Sequence, residues 1–525
     1  MVRISLVIYF LLTALILKAQ NRYVVFFTDK DNSPYSISQP QEFLSAKAID
    51  RRVKQNIAIT EQDLPVNQTY VDQVKNLGAE VYFKSKWFNA VLVQTTSDVI
   101  LDIENLSFVS NAELVANNSR LKEGSRISFT EDGEGVEAVA NGFQNSLLGV
   151  DILHEDGLYG EGITIAFMDS GFTGVNTQSA FNGMLIDMEL NLVENDNNIY
   201  QYQDHGTRVL STVAAQIADE YQGVAPNANF LLFVTEDLPT EYRIEEYNFL
   251  FAAEMADSAG VDIINTSLGY NNFFTVSSMD YTYEEMDGAT TVITRASELA
   301  FERGILVVTS VGNEGRNGDW PYLTAPADGP NVLSVGSIRE DGSKSDFSSI
   351  GPNANGQTKP EVMALGSGAT VVNSSGNVVG ASGTSFSSPQ IAGYAALLWQ
   401  QYPDLTNKEL FDLILSSANR FQSPDNEYGY GVPSYKKLIT SVDEGLERLS
   451  IFPNPFNENV TISTNEHIQM IFVYDQMGRL IMSNKFNSLD TEASIDTSEW
   501  HSGLYIFNIV LSNNQQEKLK LLKVR

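Results

Sequence analysis

The chain has 525 residues, of which 43% are hydrophobic and 10% aromatic, and this length is enough for two to four domains with at least one large core. Its formal net charge of −33 argues against nucleic acid as a partner, because both surfaces would carry charge of the same sign. The absence of cysteine excludes disulfide bonds, thiolate metal sites and a cysteine nucleophile.

The first 20 residues have the pattern of a secretory signal peptide. Arg3 provides a short basic start, the run Ile4–Leu17 is apolar, and Ala19-Gln20 follows soon after it. The run is too short to cross a bilayer comfortably, and no later run reaches about 18 apolar residues. We expect cleavage near Ala19 or Gln20 and no transmembrane segment in the mature protein; an uncleaved anchor is the alternative.

Residues 21–117 are expected to form a small α/β domain. Two stretches have the composition of strands and two that of helices, namely Arg22–Phe27, Ala90–Gln94, Phe43–Asn56 and Tyr70–Leu77. No group of reactive side chains occurs here, which favours a binding or chaperone role. The polar stretch 118–143 is expected to be a linker that contains a maturation site, because proteases cut exposed linkers.

Residues 144–440 repeat the order strand, loop, helix. Four nearly continuous apolar runs predict buried strands and three intervening stretches predict helices: Gly162–Met168, Phe230–Val234, Val261–Ile264 and Ile305–Val308, then Thr207–Ala218, Glu241–Ala259 and Ala289–Arg303. This alternation predicts an α/β fold with a mainly parallel sheet and helices on both faces. Ligands bind at the carboxyl ends of the strands in such sheets, and Asp169, Ser267 and Asn313 all lie at or just after such ends.

A hinge at residues 441–449 is expected to separate this domain from the C-terminal segment 450–525. The segment contains short alternating strand patterns separated by tight turns such as Asp475–Gly478. This arrangement predicts a small β-sandwich.

Ser385 is the first candidate for chemistry. Small residues precede it, Pro389 follows it, and an apolar helix-forming run begins at Gln390. Because proline is tolerated in the first turn of a helix, the helix is expected to begin near Ser385. The hydroxyl would then lie among the backbone N–H groups of a helix N-terminus, where an oxyanion is stabilised; a structural N-cap serine is the alternative.

A serine nucleophile needs a base, and the chain has four histidines from which to draw one. His467 and His501 lie in the C-terminal segment, and His154 lies in a predicted helix before the first core strand. His205 precedes Gly206 in a loop that enters a helix, and the glycine would let a substrate backbone come close. His205 is therefore the candidate base.

Five motifs resemble those of the subtilisin-like serine proteases over roughly residues 144–438, and they occur along the chain in that family's order. The catalytic motifs match Asp169-Ser170-Gly171, His205-Gly206-Thr207 and Gly383-Thr384-Ser385-Phe386-Ser387-Ser388-Pro389; the oxyanion asparagine motif matches Val311-Gly312-Asn313-Glu314-Gly315, and the specificity-pocket strand matches Ser267-Leu268-Gly269. The resemblance implies a serine endopeptidase that acts on proteins or peptides and needs no cofactor for its chemistry.

The resemblance also implies a role for each matching residue. Ser385 would be the nucleophile, His205 the general base and Asp169 the residue that orients it. Asn313 would stabilise the oxyanion together with the Ser385 backbone N–H. Ser267, Leu268, Gly269 and Gly312 would line the substrate pocket.

Two stretches depart from the family pattern. Arg208-Val209-Leu210-Ser211 stands where smaller residues are common, and the segment Asn271–Gly288 after the pocket strand is long and acidic. Neither departure removes a catalytic group, but both leave the details of the substrate cleft open.

The two ends of the chain have resemblances of their own. Residues 21–117 resemble, in position and size, the inhibitory propeptide of the same family, which implies a zymogen. The C-terminal segment resembles the sorting domain of proteins exported by the type IX (Por) secretion system of Bacteroidetes, through motifs at Phe452-Pro453-Asn454-Pro455, Val473–Arg479, Ser502–Tyr505 and Lys518–Val524. This implies export across the outer membrane, a secreted or cell-surface location, and the secretion machinery as a partner; a carbohydrate-binding module is the alternative, with Trp500 as its only tryptophan.

Two other functions remain open at this point. An adhesin built on an inactive protease scaffold would not need all four catalytic residues. An α/β-hydrolase lipase would need a second glycine around Ser385 and the chain order Ser, Asp, His.

Metal binding and specificity are the last two expectations. The loops Asn191–Asn198 and Asp280–Asp287 are rich in side chains that carry oxygen, and they are candidates for binding structural calcium. The pocket, completed by Thr324-Ala325-Pro326, is expected to accept large uncharged side chains. Asp328 is expected to face solvent in a turn.

Overall fold

The computed structural model describes residues 20–117, 138–237, 240–439, 449–464, 467–486, 490–512 and 516–524. Nearly all of the predicted signal peptide 1–20, most of the linker 118–143 and most of the hinge 441–449 therefore lie outside the described residues. Within the described ranges, no helix combines the length and the apolar character that crossing a membrane requires.

The N-terminal unit is an antiparallel sheet backed by helices. Its elements are β1 (Asn21–Phe27), α1 (Ala46–Lys54), α2 (Gln68–Asn76), β2 (Glu80–Ser85), β3 (Ala90–Thr95), α3 (Ser97–Glu104) and β4 (Val109–Ala116). The four strands are ordered β2-β3-β1-β4. Ser45, Asn67 and Thr96 begin the three helices, and each side chain accepts a hydrogen bond from a backbone N–H of the first turn. The two predicted strands and two predicted helices are all present, with ends that differ by at most three residues.

The central unit alternates strands and helices, as the sequence predicts. Its elements are α4 (Asn141–Leu148), α5 (Val150–Glu155), β5 (Thr164–Asp169), β6 (Leu185–Asn191), α6 (His205–Ala214), β7 (Gln216–Ile217), β8 (Tyr221–Gln222), β9 (Asn229–Val234), α7 (Ile244–Ala259), β10 (Ile263–Thr266), α8 (Val292–Glu302), β11 (Leu306–Ser310), β12 (Leu333–Ile338), β13 (Val362–Leu365), β14 (Ala369–Val372), β15 (Val378–Ala381), α9 (Thr384–Gln401), α10 (Asn407–Ser417) and α11 (Tyr435–Ile439). Seven strands form one parallel sheet in the order β13-β12-β11-β10-β5-β9-β6. The predicted fold class is confirmed.

Both faces of this sheet are buried. In β5, Ile165 and Phe167 join the core under α6 and α9, whereas Ala166 and Met168 join the core under α7 and α8. Side chains alternate between the faces of a strand, so a strand with two buried faces needs apolar residues throughout. This explains why the central strands are continuous apolar runs in the sequence.

The C-terminal unit is a sandwich of two antiparallel sheets. Its strands are β16 (Leu449–Phe452), β17 (Asn459–Thr464), β18 (Ile468–Asp475), β19 (Leu480–Lys485), β20 (Glu492–Asp496), β21 (Gly503–Leu511) and β22 (Gln516–Lys523). They are ordered β16-β17-β20 and β19-β18-β21-β22. Trp500 packs against Phe456, Tyr505 and Phe507 at the core of this unit, so it does not form an exposed aromatic platform.

The last strand joins the C-terminal unit to the central unit. Leu521 packs inside the sandwich, whereas the next side chain, Leu522, is buried in the core of the central unit. The Lys520 ammonium lies 4.8 Å from the centre of the Phe421 ring of the central unit. The strand β22 is therefore packed on both of its faces.

Candidate active site

The carboxyl edge of the central sheet brings two of the predicted residues into direct contact. Asp169 is the last residue of β5 and is almost fully buried. His205 is the first residue of α6, and its Nδ1 lies 2.6 Å from Asp169 Oδ1. The Ser170 backbone N–H donates to the same oxygen at 2.7 Å. This arrangement fixes the carboxylate and leaves Nε2 as the nitrogen of His205 that faces away from Asp169.

Gly206 makes this approach possible. A Cβ atom at this position would lie against the Gly171 carbonyl oxygen and 3.0 Å from Asp169 Cβ. Any side chain larger than hydrogen would push α6 away from the strand that carries Asp169. The sequence predicted a need for glycine here, but for substrate access rather than for this internal contact.

Ser385 lies at the start of α9. It is the second residue of the helix and is nearly buried, and the ring of the next residue, Phe386, lies 6.1 Å from the imidazole. The Ser385 hydroxyl donates a hydrogen bond to the Ser267 carbonyl at 3.3 Å. The predicted placement at a helix N-terminus agrees with the structure.

Pro389 lies deeper in the helix than the sequence indicated. The helix begins at Thr384, so Pro389 is its sixth residue and lies beyond the first turn. Because proline has no N–H, the Ser385 carbonyl loses its helical donor. The Ser267 hydroxyl replaces that donor, with its Oγ 3.0 Å from the Ser385 oxygen.

Asn313 is oriented by the residue before the candidate nucleophile. Its Oδ1 accepts hydrogen bonds from the Thr384 N–H at 3.0 Å and from the Thr384 hydroxyl at 2.9 Å. With the oxygen held in this way, the NH₂ group is directed to the other side. Thr384 is thus a site residue that the sequence interpretation did not single out, although it lies next to Ser385.

The predicted pocket segments meet at the same edge. The Tyr270 backbone, which continues Ser267-Leu268-Gly269, exchanges two 3.0 Å hydrogen bonds with Ala325. A Cβ on Gly269 would overlap the Thr324 hydroxyl, and one on Gly312 would lie 3.0 Å from it. Ser267 turns its side chain to α9 through the bond described above. The structure thus places Ser267 beneath Ser385, and the pocket roles of Ser267, Leu268, Gly269 and Gly312 stay predictions.

The expectation for Asp328 was wrong. Its side chain does not face solvent but is fully buried. One oxygen accepts from the Thr294 hydroxyl at 2.6 Å and the other from the Gly288 N–H at 2.8 Å. Burial raises the pKa of Asp328 to about 6, although the bonds from Thr294 and Gly288 act in the opposite direction. The turn sequence gave no information about which side of the chain the carboxylate would occupy.

Comparisons with known proteins cover nearly the whole chain. Residues 160–431 match the model of the subtilase family, residues 22–129 match the peptidase S8 propeptide domain of Bacteroidota, and residues 450–523 match the secretion system C-terminal sorting domain. The chain is 27% identical to subtilisin NAT of Bacillus subtilis subsp. natto over 317 residues, 59% of this chain and 74% of the relative. It is 28% identical to subtilisin DY of Bacillus licheniformis over 273 residues, 52% of this chain and 89% of the relative.

A solved structure of MycP1 with its N-terminal propeptide removed covers 56% of this chain and 94% of its own, with 24% identity and a TM-score of 0.44.

The chain belongs to the subtilase family. It is a serine endopeptidase with a propeptide domain before the peptidase domain and a sorting domain after it. The sorting domain indicates export to the cell surface or beyond through the type IX machinery. The resemblances inferred from the sequence are confirmed, and the subtilase is made as a secreted zymogen.

The propeptide domain of this subtilase docks on the peptidase domain through buried charges. Asp257 of α7 is fully buried and pairs with Arg51 at 2.6 Å, Arg52 at 2.9 Å and Lys86 at 2.8 Å, all from the propeptide domain. Burial pushes the pKa of Asp257 upward, but Lys86, Arg52 and Arg51 outweigh it and lower the pKa to about 2.

A second buried carboxylate binds the loop after β2. Glu254 accepts hydrogen bonds from the Ser85 hydroxyl at 2.5 Å, from the Lys86 N–H at 2.7 Å and from the Trp87 N–H at 3.1 Å. Burial raises the pKa of Glu254 to about 7, and Lys86 opposes the rise.

Helix α1 caps the ends of two peptidase helices. Arg51 donates to the carbonyls of Val261 and Arg303, which follow α7 and α8, and Gln55 donates to the Gly304 carbonyl at 2.8 Å. Helix C-termini carry unpaired carbonyls and partial negative charge, so a guanidinium is a suitable partner. The Arg51-Arg52 pair is visible in the sequence, but no pattern there identifies its partner.

Both loops predicted to bind calcium use oxygens for local structure. Asn191 Oδ1 accepts from the N–H groups of Val193 and Glu194. Asp287 accepts from Ala289 and from both donors of Thr290. In the part of the chain that the structure describes, the group of carboxylates close enough to hold an ion is a different one, Glu236, Glu241 and Glu245.

Proposed function

We propose that this subtilase cleaves peptide bonds by nucleophilic catalysis, with Ser385, His205, Asp169 and Asn313 as its catalytic residues. The observation that carries the proposal is the 2.6 Å hydrogen bond between His205 Nδ1 and Asp169 Oδ1 beside the helix start that bears Ser385. That bond holds the imidazole in one tautomer, with Nε2 available as a base.

In the first half of the reaction, Ser385 Oγ bonds to the scissile carbonyl carbon while its proton passes to His205 Nε2. The tetrahedral intermediate collapses when the C–N bond breaks, and His205 gives the proton to the leaving amine. In the second half, water attacks the acyl-enzyme and its proton passes to His205. The proton then returns to Ser385 as the acid product leaves. Asp169 stabilises the imidazolium in both halves.

The oxyanion forms where two donors are available. The backbone N–H of Ser385 lies in the first turn of α9, where helical partners are absent. The Asn313 amide supplies the second donor, because Thr384 holds its oxygen. Loss of one such donor typically costs about 2.7–4 kcal/mol of transition-state stabilisation.

Ser385→Ala tests the proposal in the full chain. The variant should not hydrolyse a peptide library, and it should keep the propeptide covalently attached if maturation is autocatalytic. The matched control is Ser387→Ala, two residues after Ser385 in the same helix. It removes a hydroxyl that donates to the Ala364 carbonyl. Hydrolysis by Ser385→Ala at the wild-type rate would refute the assignment.

Structural calcium belongs to the proposal as a separate element, outside the chemistry. Glu236, Glu241 and Glu245 offer carboxylate oxygens within 4.8 Å of one another, a spacing at which like charges favour a cation between them. Calcium should raise the Tm and EDTA should lower it, and Glu241→Gln should reduce both shifts. Equal Tm values in calcium and EDTA would refute the proposed calcium site.

A further inference from the structure

The residue before the candidate base, Asp204, contacts the hairpin that precedes the candidate nucleophile in the chain. Asp204 directly precedes His205, and its Oδ2 accepts from the Ser374 hydroxyl at 2.8 Å and from the Ser374 N–H at 3.2 Å. Its Oδ1 lies 3.2 Å from Arg208 Nε, one turn along α6. The carboxylate is therefore bound by one partner on its own helix and by one partner 170 residues away in the chain.

Ser374 lies in the turn of the hairpin formed by β14 and β15. Asn373 closes that turn, since its N–H donates to the Asn377 carbonyl and its Oδ1 accepts from Ser375 and Asn377. Strand β15 ends at Ala381, four residues before Ser385. The hairpin is thus continuous with the segment that carries the nucleophile.

The same hairpin is attached to α6 at a second point. The Val372 N–H donates to the Ser211 hydroxyl at 2.8 Å. The loop after Asp169 fits against the turn as well, because a Cβ on Gly174 would lie 2.8 Å from Ser374 Cα. The Thr207 hydroxyl binds the Thr173 carbonyl of that loop at 2.8 Å. The segments that carry Asp169, His205 and Ser385 therefore meet around the Ser374 turn.

We propose that Asp204 is a positioning residue that, through Ser374, fixes the base-bearing helix relative to the hairpin that leads to the nucleophile. Arg208 orients the carboxylate for this task, which gives a role to the arginine that departs from the family pattern. The inference rests on the proposed function, since it concerns the distance between His205 and Ser385. A displacement of about 1 Å between reacting groups can cost on the order of 100-fold in rate.

The pKa of Asp204 is consistent with this role. Burial pushes the pKa of Asp204 upward, but Ser374 and Arg208 outweigh it, and the pKa lies below its ordinary value. The carboxylate is therefore ionised at the pH values at which a histidine base is neutral. An ionised acceptor holds the Ser374 donors more firmly than a neutral one would.

The experiment compares kcat and KM of mature enzyme for four variants, with concentrations set by titration with a serine-directed phosphonate. Asp204→Ala should lower kcat by about 10- to 100-fold, with KM changed less than about twofold, and Ser374→Ala should lower kcat by a smaller factor. Ser374→Thr keeps the hydroxyl and should restore kcat. Ser375→Ala, in the exposed position next to Ser374, should match the wild type.

Two results would overturn the inference. One is an unchanged kcat in Asp204→Ala, or in Ser374→Ala if Asp204→Ala does not accumulate. The other is a loss of activity that disappears once rates are expressed per titrated site, which would show a folding role alone. If the wild-type enzyme itself neither hydrolyses peptides nor reacts with the phosphonate, the proposed function fails instead.

Discussion

At the scale of single residues, Ser267 stabilises the backbone of the candidate nucleophile through a hydrogen bond. Its hydroxyl donates to the Ser385 carbonyl, which has no helical donor because Pro389 lacks an N–H. Ser267→Ala should therefore leave a buried carbonyl without that donor and lower the free energy of unfolding by about 1–3 kcal/mol. The activity should fall as well, because the carbonyl belongs to Ser385.

A double-mutant cycle isolates this bond. Pro389→Ala restores a backbone N–H to α9, so Ser267→Ala should cost less in the Pro389→Ala background than in the wild type. Thermal unfolding of the Ser385→Ala chain, which avoids self-digestion, measures each corner. Equal costs in both backgrounds would show that the bond does not compensate for the proline.

Specificity is also decided by a few residues. Small and apolar residues dominate the segments around Gly269, Gly312 and Ala325. The Asp328 carboxylate is bound by Thr294 of α8 and by the N–H of Gly288, which precedes that helix. We expect a higher kcat/KM for Phe or Leu before the scissile bond than for Arg or Glu, because a charge would be desolvated without a partner. Asp328→Asn should leave that order unchanged. A preference for Arg that disappears in Asp328→Asn would place the carboxylate in the pocket.

The roles of some site residues can be predicted from the sequence, whereas the contacts of others cannot. Asp169, His205, Ser385 and Asn313 stand in motifs whose order and neighbours are specific. The exposure of Asp328 was wrongly predicted, because Asp-Gly-Pro-Asn describes a turn but not the direction of its first side chain. The bonds from Ser267 to α9 and from Asp204 to Ser374 join residues more than 100 positions apart, and no local pattern encodes them.

At the scale of elements, the contact between α1 and the ends of α7 and α8 gives a pH dependence. Glu254, with a pKa raised to about 7, contributes stability that is present below its ordinary value of 4.5 and is lost as the pH rises through 7. Asp257, with a pKa lowered to about 2, contributes stability that is present above its ordinary value of 3.8 and is lost as the pH falls toward 2. From these two groups, the uncleaved Ser385→Ala chain should be most stable at about pH 4 to 4.5, and its stability should fall as the pH rises to 7 or drops to 2.

Two isosteric variants separate these contributions. Glu254→Gln should remove most of the fall in Tm between about pH 4.5 and 7, and Asp257→Asn should remove most of the fall below pH 4 and lower the Tm at neutral pH. Glu340→Gln, at an exposed position of the peptidase domain, serves as the control. Parallel Tm profiles for all variants would show that the two carboxylates do not govern docking.

Elements were predictable where their own composition decides them. The continuous apolar runs of β5, β9, β10 and β11 gave the parallel sheet, because both faces of each strand are buried. The packing of α1 on two helix ends could not be predicted, because it depends on carbonyl groups that every sequence has. The same limit applies to the β14–β15 turn, whose serine and glycine content indicates a turn but not its contact with α6.

At the scale of the whole molecule, the sorting domain is more than a separate appendage. Leu522 fills part of the peptidase core and Lys520 lies over Phe421. A chain truncated after Glu447 should keep its catalytic activity, lose a few degrees in Tm because apolar surface is exposed, and stay inside the outer membrane. A peptide assay, thermal unfolding of the purified chain and fractionation of cells measure the three results, and secretion at the normal level would contradict the sorting role.

Phe421→Ala, on the peptidase side of the contact with Lys520, provides the matching test of the interface in the full-length chain. It should lower the Tm of the peptidase domain while leaving the motifs of the sorting domain intact. Export that continues at a normal level would separate the docking of β22 from the sorting function.

The central claim is that Ser385 is the nucleophile activated by His205 and Asp169, and a peptide phosphonate tests it most directly. After reaction of the mature wild-type enzyme, digestion and tandem mass spectrometry should place the phosphonyl group on Ser385, in the segment Gly383–Pro389. The adduct should be absent from Ser385→Ala and should form far more slowly in His205→Ala. A phosphonyl group on any other residue, or labelling that does not depend on His205, would contradict the account.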